Sequence, residues 1–103
     1  MFPRVIMEYQ EIIELDGGNR MALIYVAGDK TIPIKEANSN IVCFDNNMNI
    51  IWRVSAPATG FERDSFVELN KESNGIITGR RFFGNTYTIN PSTGEATQSG
   101  WQK

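Results

Sequence analysis

The chain repeats itself: a pattern of short apolar runs and polar turns in the first half returns, shortened by one loop, in the second. Ile13-Glu14-Leu15 answers to Val67-Glu68-Leu69, 54 positions on. Each is followed by a polar turn, Asp16-Gly17-Gly18-Asn19 in one copy and Lys71-Glu72-Ser73-Asn74-Gly75 in the other. Val26-Ala27-Gly28 then answers to Ile77-Thr78-Gly79 at an offset of 51. Asn40-Ile41-Val42-Cys43-Phe44-Asp45 answers to Asn85-Thr86-Tyr87-Thr88-Ile89-Asn90 at 45, and Asn49-Ile50-Ile51 to Glu95-Ala96-Thr97 at 46. The shrinking offset places one insertion in the first copy, mainly Asp29 to Ser39.

A unit of about 40 to 50 residues with four apolar runs has the size of one four-stranded propeller blade. Such units stack because one alone cannot bury its own apolar face. The expected fold is therefore all-β and antiparallel, about eight strands in two four-stranded, blade-like sheets (a half-propeller). It forms a single domain over residues 1–103, with repeats at about 8–57 and 62–103. The strands are expected at Val5 to Leu15, Met21 to Ala27, Ile41 to Asp45, Asn49 to Ser55, Ser65 to Leu69, Gly75 to Gly79, Thr86 to Asn90 and Glu95 to Trp101, from their alternation and their β-branched and aromatic content. Met21 to Ala27 is nearly continuous in apolar residues and reads as a strand buried on both faces. Only Lys35 to Asn38 or Gly60 to Arg63 has room for a helical turn, since Pro33 and Pro57 bar anything longer nearby. The long first strand can pair within its own copy or supply an edge that closes the second sheet; the latter is the more attractive topology.

With no histidine and one cysteine, the usual zinc and iron sites cannot be assembled, and a Ser-His-Asp or Cys-His arrangement is excluded. Gly17-Gly18 and Gly75 sit in hairpin turns rather than in a phosphate-cradling loop. No apolar run approaches the ~20 residues that span a bilayer. Met1-Phe2-Pro3-Arg4 lacks the charged start and long apolar core of a secretory signal. A lone Cys43 forms no internal disulfide and reads as a small buried strand residue. The expectation is a cytoplasmic protein without cofactor or metal, and not an enzyme. A carboxylate-only mechanism would need two acids held about 5 to 10 Å apart across a cleft, which sequence spacing does not display.

The second copy reads Gly75-Ile76-Ile77-Thr78-Gly79, then Thr86-Tyr87-Thr88-Ile89-Asn90-Pro91-Ser92-Thr93-Gly94-Glu95, and ends near Trp101. It resembles a blade of the quinoprotein-type β-propellers, whose repeats carry a strand ending in glycine, an aromatic-containing strand ending in Asp or Asn, a Thr-Gly turn and a strand closing on tryptophan. The first copy keeps Ile41 to Asp45 and Trp52 but lacks the Thr-Gly turn, and its tryptophan comes three positions earlier. The resemblance implies blade-like sheets and carries over no cofactor site.

Complete propellers use four or more blades, so two blades would form an open fragment or part of a symmetric oligomer. An open fragment leaves faces and edges to be covered. This directs attention to the inserted loop, with Ile32, Ile34, Lys35 and Glu36, and to its counterpart Arg80-Arg81-Phe82-Phe83, where aromatic and arginine residues of the kind that anchor interfaces meet at a hairpin end. Acidic residues cluster at Glu8, Glu11, Glu14 and Asp16, and again at Glu62, Asp64, Glu68 and Glu72. Such patches steer basic partners, whereas the scattered basic residues disfavour nucleic acid. In size, charge and lack of catalytic groups the chain resembles, in type, the immunity proteins of bacterial contact-dependent growth inhibition systems. That resemblance implies a protein partner, a basic toxin domain such as a nuclease, met by Glu62, Asp64 and the two loops. The competing expectation is a self-assembling module or small-ligand binding protein, in which copies complete a ring as a homo-oligomer. Neither expectation involves a membrane.

Overall fold

The computed structural model of the chain describes residues 9–26 and 30–101. Eight strands form two antiparallel meanders. The first sheet is β1 (Tyr9–Glu14), β2 (Arg20–Ile24), β3 (Ile41–Phe44) and β4 (Ile50–Arg53), in that spatial order. The second is β5 (Phe66–Lys71), β6 (Ile77–Arg81), β7 (Asn85–Ile89) and β8 (Ala96–Trp101). All eight expected strands are present with shifted ends. The stretch from Val5 to Glu8, and Ala27, lie outside the described residues. β1 pairs with β2 of its own sheet, so it does not close the second. One α-helical turn, α1 (Ile34–Ala37), follows Pro33, and Gly60 to Arg63 is non-helical; a 3-10 turn at Asp16–Gly18, where no helical turn was expected, joins β1 to β2.

Register shows how the copies correspond. Tyr9 faces Ile24 and Glu11 faces Leu23, as Phe66 faces Arg81 and Glu68 faces Arg80. The first two strands of the copies are therefore related by a shift of 57 positions, not 54 or 51. Met21 faces Cys43 as Thr78 faces Thr88, so the third strands keep the offset of 45. The insertion lies between Ile24 and Ile41, and it folds back over the first sheet. Val26, Ile32 and Ala37 pack on Ala22, Ile24, Val42 and Phe44. The opposite face of that sheet, with Met21, Leu23, Ile41, Cys43 and Trp52, packs on Phe66, Leu69, Ile77, Tyr87 and Ile89 of the second. β3, and β2 after Arg20, are apolar because both of their faces are covered.

Under this correspondence Ala22, Val42 and Phe44 match Gly79, Tyr87 and Ile89. The face that the insertion covers in sheet one is thus the face that meets sheet one in sheet two. The two sheets stack in the same sense, as repeats do, and their far ends differ in chemistry. Met21, Leu23, Ile41, Cys43 and Trp52 match Thr78, Arg80, Thr86, Thr88 and Thr97, so every apolar residue that would bury a third sheet has a polar substitute. Leu15 and Glu72 close the equivalent turns, on Asn19 and Ile76, and continue the exchange. The stack is capped by the insertion at one end and by a solvated face at the other, the condition under which a short repeat array stays soluble. The broad faces of this open fragment are thus covered by the chain's own insertion at one end and polar at the other.

The sheets are also tied across their ends. Ser55 forms a parallel bridge with Glu95, and the Trp52 indole Nε1 donates to the Pro91 carbonyl at 3.0 Å. Each of the four outer strands contains one bulge: Gln10 in β1, Ile51 in β4, Val67 in β5 and Ser99 in β8 is the unpaired residue. The inner ladders, β2 with β3 and β6 with β7, run without interruption. The β3–β4 and β7–β8 turns both use a left-handed residue, Met48 (φ 65) in one and Gly94 (φ 81) in the other. A left-handed side-chain residue costs about 1–2 kcal/mol, against roughly 0.5–1 kcal/mol for the extra freedom glycine gives the unfolded chain. Met48→Gly is therefore expected to raise the unfolding free energy by about 0.5–1 kcal/mol, read from the urea midpoint.

Candidate functional site at the aromatic end of the stack

Phe82 and Phe83 are the central residues of the tight turn that joins β6 to β7. The Gly84 N–H donates to the Arg81 carbonyl at 2.9 Å, and Gly84 itself takes φ 107, which glycine alone adopts without strain. The Phe82 N–H donates to the Ser65 carbonyl at 2.9 Å, and the Phe83 N–H to Asp64 Oδ1 at 3.1 Å. The second carboxylate oxygen of Asp64 accepts the Thr59 hydroxyl at 3.1 Å. On this backbone the Phe83 ring stacks flat on Phe61, centroids 3.8 Å apart and planes 10° apart. Phe82 stands edge-on to Phe83 at 5.1 Å. Phe82 keeps 60 % of its surface in solvent and Phe61 49 %.

The frame beneath is polar and buried. The Arg81 guanidinium lies 5.1 Å from the ring centroids of both Phe66 and Tyr87. It donates to the Pro57 carbonyl at 2.7 Å, the Tyr87 hydroxyl at 3.0 Å and the Asn38 carbonyl at 3.5 Å. A buried cation survives here on carbonyl dipoles and π faces. Asn38 Nδ2 donates to the Glu62 carbonyl at 2.9 Å, and Asn38 Oδ1 accepts the Asp64 N–H at 2.8 Å. Asn40 goes further. Its Nδ2 donates to the carbonyls of Ile24 and Phe66, and its Oδ1 accepts the Phe66 N–H, all at 2.9 Å. One buried side chain thereby pins the first strand of the second sheet to the first. The corresponding Asn85 has no third sheet to hold, and its Oδ1 accepts Gln98 Nε2 at 3.1 Å.

Insertion, linker and hairpin tip thus meet at one end, which gathers most of the expected partner-binding residues but sorts them by role. Lys35 and Glu62 are exposed, Ile34 is partly exposed and Glu36 half-buried on α1. Three expectations are corrected, because Ile32, Asp64 and Arg81 are buried. Ile32 fills the core under the insertion, and Asp64 and Arg81 hold the linker and turn, so none of the three is presented to a partner. Arg80 lies away from this end, on the solvated face of sheet two. There its Nε pairs with Glu68 Oε1 at 3.1 Å, which holds the Glu68 carboxyl below its ordinary range and raises Arg80. Both groups are substantially solvated, so the pair adds little to stability. The second acidic cluster is not one patch either: Asp64 is internal, while Glu68 and Glu72 line the solvated face of sheet two. In the first cluster Glu8 lies outside the described residues. Phe61 was missing from the expected set; its only signal is an aromatic side chain in a polar linker, between Gly60 and Glu62.

Chemically this end offers burial of aromatic surface. Among the described residues no group of three or more Cys, Asp or Glu is placed to hold a metal, and burial pushes the Cys43 thiol up. No helix among them is long and apolar enough to cross a membrane. No curated protein and no solved structure matches the chain. A family model described as a domain of unknown function (DUF7957) matches residues 6–101, nearly the whole chain, and the protein belongs to that family.

Proposed function

We propose that this chain is a non-enzymatic, protein-binding inhibitor: an immunity protein that neutralises a cognate bacterial toxin, a nuclease, in the cytoplasm by blocking its active site. The observation that carries the reading is the cluster of Phe61, Phe82 and Phe83, two of its residues about half exposed or more, on a turn held by the buried Asp64. Exposed aromatics on a rigid support have the anatomy of an interface hot spot. Glu62 beside them is an exposed carboxylate of the kind that steers the approach of a basic partner and adds little to the strength of binding. The competing reading, ring completion by copies of the chain, is less well supported, since Thr78, Arg80, Thr86, Thr88 and Thr97 occupy the face on which another sheet would have to be buried.

The test is growth of cells expressing the neighbouring open reading frame, with and without this chain supplied from a second promoter. Restoration of growth by this chain is the expected result. A harmless neighbour, or toxicity that persists, overturns the immunity reading. A stable dimer or trimer by light scattering would instead favour assembly of copies.

A further inference from the structure

We infer that Phe82 is a plug, and that the partner it fits is a protein with an apolar socket one phenyl ring wide, held by burial of that ring and not by charge. The inference rests on the protein-binding reading above and specifies its chemistry.

Three features distinguish Phe82 from an incidental exposed side chain. It is the most exposed of the large hydrophobic side chains among the described residues, at 60 %. Its backbone is fixed on both sides, by the Ser65 carbonyl at its own N–H and by Asp64 at the next. Its neighbour Phe83 is locked flat against Phe61, so Phe82 rises edge-on from an aromatic pedestal. Little backbone freedom is left to lose on binding, which lowers the cost of using this side chain as an anchor.

Charge does not compete as an explanation. Asp64 is internal, Glu68 is engaged by Arg80, and Glu68 and Glu72 belong to a different surface. Of the second acidic cluster only Glu62 stands beside the tip. A phenylalanine offers about 150–250 Å², so roughly 100–150 Å² of Phe82 remains to be buried. At about 25 cal/mol per Å² that corresponds to roughly a 100-fold effect on affinity.

β-Cyclodextrin, whose apolar cavity admits one phenyl ring, is the probe. Titrated into the whole protein and followed by amide NMR, it should shift resonances at Phe82, Phe83 and Gly84. The shifts should vanish in Phe82→Ala and persist in Phe61→Ala and Glu62→Lys, with thermal unfolding of Phe82→Ala unchanged as the folding control. No shift up to the solubility limit, or shifts centred on Tyr25 or Phe61, overturns the plug. Where the neighbouring gene product proves to be the partner, Phe82→Ala should weaken binding roughly 100-fold, with Glu62→Lys and added salt each changing it only a few-fold. Growth rescue that survives Phe82→Ala with affinity unchanged sinks the plug and leaves the inhibitor reading standing. A harmless neighbour with intact cyclodextrin binding does the reverse.

Discussion

Asn40→Ala is expected to lower the unfolding free energy by about 3–5 kcal/mol, and the melting temperature by more than about 12 °C for a domain of this size. The substitution removes little apolar contact. Its effect comes from three buried backbone groups left without partners: the N–H and carbonyl of Phe66 and the carbonyl of Ile24. Each such group carries a desolvation cost of about 1–3 kcal/mol, only partly relieved by entering water. The molecule supplies its own control. Asn85 stands at the corresponding place in the second copy and holds Gln98, at the surface, so Asn85→Ala should change stability by less than about 0.5 kcal/mol. Denaturant unfolding of the two variants side by side checks both values. Similar losses in the two would mean that Asn40 does not link the sheets.

The second large effect is expected at Gly94, where alanine should cost about 3 kcal/mol or more. Gly94 has φ +81, and a Cβ built there falls on the Trp52 indole, with Cδ2 at 2.6 Å. Left-handed strain contributes about 1–2 kcal/mol, and forcing the indole aside adds about 1–3 kcal/mol. Displacement of the ring also breaks its hydrogen bond to the Pro91 carbonyl, so near-ultraviolet circular dichroism should change along with stability. Gly75 separates the two causes: it has φ +87 with nothing within 4 Å of an added Cβ. Gly75→Ala should therefore show the strain alone, about 1 kcal/mol, with the tryptophan signal intact. An equal loss at the two glycines would remove the steric part of the account.

The strands were legible in the sequence because alternation and turn chemistry are local properties, and two sheets followed from the repeat. The register of the first two strands was not. Matching apolar to apolar equated Val26-Ala27-Gly28 with Ile77-Thr78-Gly79, whereas the pairing equates Arg20 to Ile24 with Ile77 to Arg81. The two copies have diverged in which faces are buried: β2 is covered on both sides and β6 on one, so hydrophobicity is no longer a reliable ruler between them. The third strands, where Asn40 and Asn85 both survive, kept the correct offset. At the site, Phe82 and Phe83 stood out as aromatics beside a turn, but the burial of Asp64 and Arg81 depends on the linker folding over the hairpin. No local pattern encodes that contact. Asn40 was visible as a repeated residue, while its role needed the other sheet in place.

The four bulges, one on every outer strand, bear on how this molecule meets others. A strand whose hydrogen-bonding groups lose phase within a few residues is a poor template for a further strand, so zippering of one copy onto the next is discouraged at each edge. Crowding then need not end in fibrils. Backbone-to-backbone recognition, which takes little account of the partner's side chains, is disfavoured too, and selectivity falls to side chains held on turns.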